Sequence, residues 1–191
     1  MASALRADYF VSVEDYLAGE RISQQKHEYL AGVVYAMAGT TINHDRIANN
    51  IIAALHTQLR GKPCEVFSSD VKVRIQRDAA NFFYYPDATI DCSQAAGSSL
   101  YAEKPRVIFE ITSPDTERVD RGEKLRNYQS LPTLDVYAIF DQFHIAVSVY
   151  RRTPDGWVHE FLTELTDLLD LSSIGCQLPL AVAYERTRIR V

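Results

Sequence analysis

The chain has 191 residues, 47% hydrophobic and 24% charged, with a formal net charge of -5 and a pI near 5.5. That length and balance point to one folded domain over 1–191 with its own apolar core, and exclude a disordered or low-complexity chain. The acidic balance argues against a simple basic nucleic-acid binder without excluding a nuclease, whose own site is acidic.

No stretch approaches 18 unbroken apolar residues, so no membrane span is expected. The start, MASALRADYF, is too short and too polar for a secretory signal. Cys64, Cys92 and Cys176 are odd in number and far apart, which predicts free thiols in a reducing cytoplasm rather than a disulfide framework.

In chain order, residues 9–20 predict an extended entry and a short helix, with Ser12 as N-cap, Asp15 three residues on, and Gly19 at the end. KHEYLAGVVYAMAG predicts a β-hairpin turning at Ala31-Gly32, with Glu28 on its first arm. Residues 43–60 predict the clearest helix. Ile47, Ile51, Leu55 and Leu59 repeat at i, i+4, Asn43 is the candidate cap, and Gly61-Lys62-Pro63 stops the run. CEVFSSDVKVRIQ predicts one strand with a bulge at Ser68-Ser69. RDAANFFY predicts a returning arm, and 86–92 and 106–112 two further strands separated by a polar linker. A helix is expected over 116–131, capped by Thr116, weakened at Gly122 and ended by Pro132. LDVYAIFD predicts a strand buried on both faces, HIAVSVYRR and WVHEFL a hairpin, and DLSSIGCQLPLAVAYE an irregular tail. The order of elements describes one mixed α/β domain.

Two acids stand out because they fall within apolar β-type runs: Asp87 in YPDATI and Glu110 in RVIFEIT. A carboxylate buried without a partner costs several kcal/mol. If the two strands are neighbours, both carboxylates face one cleft. Together with the Ile111 carbonyl and waters they suit a hard divalent cation, Mg²⁺ with Mn²⁺ as a substitute. Such an ion would acidify a water for attack on a phosphodiester, and a nearby lysine would steady the charge. The bland alternatives are a turn aspartate at Asp87 and a Glu110–Arg106 ion pair. No HExxH spacing, G-x-S-x-G elbow or phosphate-binding G-x-x-x-x-G-K-[ST] loop is present.

HEYLAGVVYAMAG with Glu28, YYPDATI with Asp87, and VIFEITSPDTERVDRGEKLRNY with Glu110 resemble the PD-(D/E)xK nuclease superfamily. More closely they resemble its Uma-two family, proteins assigned as restriction endonucleases and common in bacterial genomes. The resemblance runs from about Tyr9 to the tail. It implies a restriction-endonuclease-like mixed β-sheet core flanked by helices, with an N-terminal hairpin. It implies Asp87 and Glu110 as metal ligands, with Glu28 as a third acid on the metal. The superfamily lysine belongs two residues after the glutamate, where this chain has Thr112. The resemblance moves its role to Lys124, with Lys72 as the other candidate. For Lys124 the alternative is an i, i+4 partner of Asp120 on a solvated helix. His44 opens its helix, where the dipole disfavours a protonated ring and leaves room for a neutral hydrogen-bonding role near the cleft; a cap or a core contact is the commoner use, and it is not expected as a ligand. Tyr84, Tyr85 and Tyr128 fall near the site, for base stacking or for packing.

The expectation is a cytoplasmic, Mg²⁺-dependent DNA endonuclease with catalytic residues Glu28, Asp87, Glu110 and Lys124, without a membrane role and plausibly a homodimer, since double-strand cutting uses two symmetric sites. The alternatives are a catalytically inactive nuclease-like fold serving as a binding module, and a hydrolase of RNA or another phosphodiester.

Overall fold

A computed structural model describes residues 10–112 and 119–189 of the chain. Helix α1 (Val13–Glu20) starts where the Ser12 hydroxyl accepts the Asp15 amide at 3.0 Å, satisfying one of the donors that a first turn leaves open. Strands β1 (His27–Leu30) and β2 (Val33–Ala36) form the expected hairpin. Its two turn residues are left-handed, Ala31 at φ 50° and Gly32 at φ 103°. At Gly32 the Phe10 ring also fills the space a Cβ would take, so glycine is required there on two counts.

Helix α2 (Ile42–Leu59) buries Ile47, Ile51, Leu55 and Leu59 along one stripe. Its cap is Thr41 rather than Asn43. The Thr41 hydroxyl accepts the His44 amide at 3.2 Å and donates to the Gln142 side-chain oxygen, so the helix begins earlier than its apolar pattern suggests.

The single strand expected over 64–76 is two strands in different sheets, β3 (Glu65–Ser68) and β4 (Lys72–Arg77). The slip in alternation at Ser68-Ser69 is a turn, closed by the Val71 amide on the Ser68 carbonyl at 3.1 Å, that moves the chain from one sheet to the other. Strand β5 (Ala80–Tyr84) returns beside β4, and the chain crosses back through Tyr85-Pro86-Asp87 into β6 (Ala88–Asp91). Pro86 has no N–H for a ladder, which suits a break between strands. A two-residue β7 (Tyr101–Ala102) and the long β8 (Pro105–Thr112) follow.

Residues 113–118, including the expected cap Thr116, lie outside the described residues. The segment beyond them begins as a π turn, Asp120–Lys124, before α3 (Leu125–Gln129). Gly122, a poor helix former, sits in this widened turn, and such turns often mark functional sites. Then come β9 (Val136–Asp141), β10 (Val147–Thr153), β11 (Gly156–Leu162), β12 (Leu168–Leu171), β13 (Cys176–Pro179) and α4 (Leu180–Ala183). The tail expected to be irregular is thus a β12–β13 hairpin and a helical turn.

The central sheet has the order β11-β10-β9-β8-β6-β3, and a second sheet the order β2-β1-β5-β4-β7. One face of the central sheet, carrying Phe109, Ile111, Phe140 and Val149, packs on α2, β12–β13 and α4. The other face, carrying Ile108, Tyr137 and Ile139, packs on Tyr128 of α3 and on Val73, Ile75 and Tyr84 of the second sheet. Helix α1 covers the far side of that second sheet through Tyr16, Tyr29 and Phe83. The candidate site lies between the two sheets. Among the described residues no helix is long and apolar enough to cross a membrane.

Cys64 and Cys92 are joined by a disulfide, which corrects the expectation of three free thiols. They follow directly outward from the paired Glu65 and Asp91 of β3 and β6, so the antiparallel register brings them face to face from 28 positions apart. Cys176 is a buried free thiol. Thiol titration of the denatured, unreduced chain is expected to count one sulfhydryl per molecule. Reduction is expected to lower the unfolding free energy by about 2–4 kcal/mol. A count of three would contradict the pairing.

Candidate active site

Strands β6 and β8 are antiparallel neighbours with Ala88 opposite Phe109. Asp87, one residue before, therefore meets β8 near Glu110 and shares its side of the sheet, because side chains alternate along strands. One Asp87 oxygen, Oδ2, accepts the Ile111 amide at 2.7 Å and faces His44 Nε2 at 3.2 Å. Ile111 thus contributes its amide to this corner, where the sequence suggested its carbonyl.

The second acid is the centre of a larger group. Lys124 Nζ lies 3.1 Å from Glu110 Oε1, 3.0 Å from Glu28 Oε1 and 3.4 Å from Asp120 Oδ1. The Tyr128 hydroxyl donates to the same Glu110 oxygen at 3.0 Å. The Lys124 ammonium also stands 5.6 Å from the centre of the Tyr84 ring. These groups come from five places: β1 supplies Glu28, β5 Tyr84, β8 Glu110, the π turn Asp120 and Lys124, and α3 Tyr128. Asp120 and Lys124, four residues apart in the π turn, are both buried and lie 3.4 Å from one another.

Burial, the largest influence on Lys124, works against its charge. Glu110, Glu28 and Asp120 outweigh it and hold the ammonium well above its ordinary pKa. Glu110 is pushed well above the carboxylate range, first by burial and then by Asp120, Asp87 and Glu28, with Lys124 opposing. Burial and then Glu110 likewise raise the Tyr128 hydroxyl, which stays protonated and donates.

The lysine two residues after the glutamate is replaced by a structural group. Thr112 donates to the Phe140 carbonyl at 3.3 Å, and its own carbonyl accepts Gln142 Nε2 at 2.8 Å. Lys72 is committed elsewhere. It donates to the Tyr85 hydroxyl at 2.9 Å, which donates in turn to Glu20 at 2.6 Å. Arg106 pairs with Asp135 at 2.5 Å, so it is not the partner of Glu110. Tyr84, Tyr85 and Tyr128 are 0%, 5% and 0% exposed, which removes them as base-stacking groups and places them in the packing.

Two residues near the site carry more than the sequence suggested. Asp120 is a buried member of the lysine cluster, and its four-residue spacing from Lys124 is the signal that marks it. His44 touches Asp87, the contact near the cleft that its place at the start of the helix allowed but did not single out.

As a donor set, the corner offers hard oxygens. Among the described residues, Asp87 Oδ1, Glu110 Oε2 and Glu28 Oε2 meet no hydrogen-bond donor. Three acids among the described residues surround one ammonium, and a further cation at the open oxygens would favour the ionised form of Glu110. Among the described residues, however, no three His, Cys, Asp or Glu side chains are grouped to hold an ion. The Lys124 ammonium contacts Oε1 of both Glu28 and Glu110, so each glutamate keeps its second oxygen. A two-carboxylate site for an ion that keeps its waters fits this arrangement; a three-acid cage does not.

The sequence profile of the Uma2 family, described as "Putative restriction endonuclease", matches residues 13–183. Uncharacterized protein slr1290 of Synechocystis sp. (strain ATCC 27184 / PCC 6803 / Kazusa) is 31% identical over 175 residues, covering 91% of this chain and 91% of its own. Uncharacterized protein sll1609 of the same strain is 27% identical over 159 residues, covering 81% and 87%. A crystal structure of a "putative nuclease belonging to DUF820" from Anabaena variabilis ATCC 29413 superposes with a TM-score of 0.70 at 15% identity, covering 91% of this chain and 97% of that one. The two share a fold, the restriction-endonuclease-like core that the motifs imply.

Because Lys124 is buried against three acids, Lys124→Met is expected to destabilise the chain by about 3–5 kcal/mol in urea denaturation, the cost of stranding buried charge. Adding Glu110→Gln is expected to recover part of that loss. A Lys124→Met variant as stable as the parent would contradict the cluster.

Proposed function

Since the chain belongs to the Uma2 family, described as restriction endonucleases, we propose that it is a metal-dependent DNA endonuclease that hydrolyses phosphodiester bonds. The observation that carries this reading is the placing of Asp87, just before β6, beside Glu110 of the neighbouring β8, with the Lys124 ammonium against Glu110.

In this proposal Asp87 and Glu110 hold one Mg²⁺, or Mn²⁺ in its place, through the oxygens that meet no donor. When bound, the ion supplies an acidified water and neutralises charge at the phosphodiester. Lys124 takes the role of the missing E-x-K lysine. Its ammonium donates to the phosphate oxygen on which charge develops, a task for which a fixed cation at a dry site is well suited. Glu28 and Asp120 keep that ammonium charged and in place, so Glu28 acts through the lysine. Tyr128 holds one oxygen of Glu110, leaving the other free. His44 and the Ile111 amide do the same for Asp87. Attack is in line and leaves no covalent intermediate.

Two such sites related by a dyad would cut both strands, so a homodimer belongs to the proposal. So does a cytoplasmic location with the DNA, where the Cys64–Cys92 bond would meet reducing conditions. A second reading, a nuclease-like fold that binds without cutting, is favoured by Thr112 at the lysine position.

Calorimetry is expected to show Mn²⁺ binding by the parent that disappears in Asp87→Asn. With Mn²⁺ or Mg²⁺, the parent is expected to nick supercoiled plasmid and Glu110→Ala to lose at least a hundredfold of that rate. Metal binding unchanged in Asp87→Asn would sink the ligand assignment. Absence of cleavage of plasmid, single-stranded DNA and RNA alike would favour the binding module.

A further inference from the structure

The central sheet ends on one side at β11, an edge strand of seven residues, Gly156–Leu162. Such an edge leaves a row of N–H and C=O groups without ladder partners, and folded chains blunt it with short strands, bulges, proline or lysine. The other edges are short: β3 and β2 have four residues each and β7 two. β11 is the exception. It matches β10 residue for residue over its whole length, and it carries neither proline nor lysine. Every position is exposed except the half-buried Trp157 and Leu162, and the exposed ones include Val158 at 46% and Phe161 at 64%.

The neighbouring strands show which backbone groups point outward. The Arg152 amide donates to the Asp135 carbonyl at 2.8 Å and the Asp141 amide to the Ala146 carbonyl at 2.9 Å. Even-numbered residues along β10 therefore turn their backbone groups toward β9. By alternation, Val147, Val149 and Arg151 bond to β11, at Leu162, Glu160 and Val158. That leaves Trp157, His159 and Phe161 with N–H and C=O pointing away from the sheet. The three are spaced symmetrically about His159. A second β11 running antiparallel around a dyad at His159 matches outward groups at all three positions. Trp157 meets the partner's Phe161, His159 the partner's His159, and Phe161 the partner's Trp157.

We propose that β11 pairs in this way with β11 of a second copy of the chain, joining two central sheets into one. The side chains favour the same register. Trp157 comes to lie beside the partner's Phe161, an aromatic cross-strand pair that the dyad repeats. On the other side of the strand Glu160 faces the partner's Val158, and it arrives already paired with Arg151 of its own chain at 3.0 Å. A register centred on Glu160 would set that acid against its own copy, and like charges directly opposite are unfavourable. One centred on Val158 would leave the outward groups of Phe161 opposite the turn. At the dyad, partial burial and then Arg121 hold His159 below its ordinary pKa, so the two rings meet uncharged near neutral pH. The pairing gives the homodimer of the proposed function its surface. It does not rest on nuclease chemistry, since β11 lies three strands, about 14 Å, from the strand of Glu110.

Cross-linking tests the register without relying on cleavage. Directly opposite residues of a hydrogen-bonded pair stand about 5.5 Å apart at Cα, within the reach of a disulfide. Under mild oxidation His159→Cys is expected to run as a linked dimer on a non-reducing gel. Val158→Cys, which faces Glu160 and not itself, is expected to stay unlinked. The parent controls for its own free thiol, Cys176, which is buried. Light scattering during gel filtration is expected to show a dimer for the parent. His159→Pro removes an outward N–H without breaking a bond to β10, so it is expected to be a monomer with the parent's circular dichroism. A monomeric parent overturns the inference together with the dimer of the proposed function. A dimer overturns the β11 pairing, and belongs to another surface, if His159→Cys stays unlinked, if Val158→Cys links equally well, or if His159→Pro leaves it intact. If the cross-link forms as expected but no nucleic acid is cut with Mn²⁺, the pairing stands and the nuclease reading fails.

Discussion

The buried ammonium of Lys124 is the interaction on which the arrangement of the two sheets depends. An amine taken out of water costs several kcal/mol unless its charge and its donors are matched. Here the match comes from Glu28 on the N-terminal hairpin, Glu110 on the central sheet and Asp120 on the π turn. Those three elements belong to the second sheet, the central sheet and the segment between them, so the lysine ties all three at one point. Apolar packing of Tyr84, Tyr128, Tyr137 and Ile139 closes the same interface. It supplies the bulk of the contact, and the ion cluster fixes which groups meet. Among the described residues the cluster gathers three acids about one ammonium, an arrangement in which a further cation would favour the ionised form of Glu110.

The other half of the site depends on where strands break. Asp87 occupies the point where the chain leaves the second sheet for the central one, just before β6 begins. A residue at such a crossing is free of the ladder on one side, so its carboxylate can accept the Ile111 amide and still present an oxygen to the cleft. The opposite wall is fixed by a second chain of bonds. Gln142 accepts from the Thr41 cap of α2 and donates to the Thr112 carbonyl at the end of β8. This ties the start of the helix, and with it His44, to the strand that carries Glu110. The Asp87–His44 contact is therefore set by the backbone at both ends.

Much of this was legible in the residues, for reasons that can be named. The hairpin at Ala31-Gly32, the stripe of α2 and the continuous apolar run of β9 are local patterns, and local patterns survive in the fold. Asp87 and Glu110 stood out because acids inside apolar runs demand partners. The four-residue step from Asp120 to Lys124 is visible too, but spacing alone reads as a solvated pair, and burial of that face comes from the second sheet packing over it. What failed was long-range. The run over 64–76 alternates almost perfectly, yet it serves two sheets, because nothing in alternation says which sheet a strand joins. The Cys64–Cys92 bond depends on the β3–β6 register, which links positions 28 apart. His44 meets Asp87 across a long sequence separation, which spacing alone does not show.

The central claim is that two carboxylates hold the ion while Lys124 keeps Glu28 for itself. Crystals soaked in Mn²⁺ test it directly through anomalous scattering. The account predicts one peak at coordination distance, about 2.1 Å, from an oxygen of Asp87 and an oxygen of Glu110, with the Lys124 ammonium still bridging Glu28 and Glu110. A peak bound by Glu28 with Lys124 displaced, or no peak between Asp87 and Glu110, would contradict it.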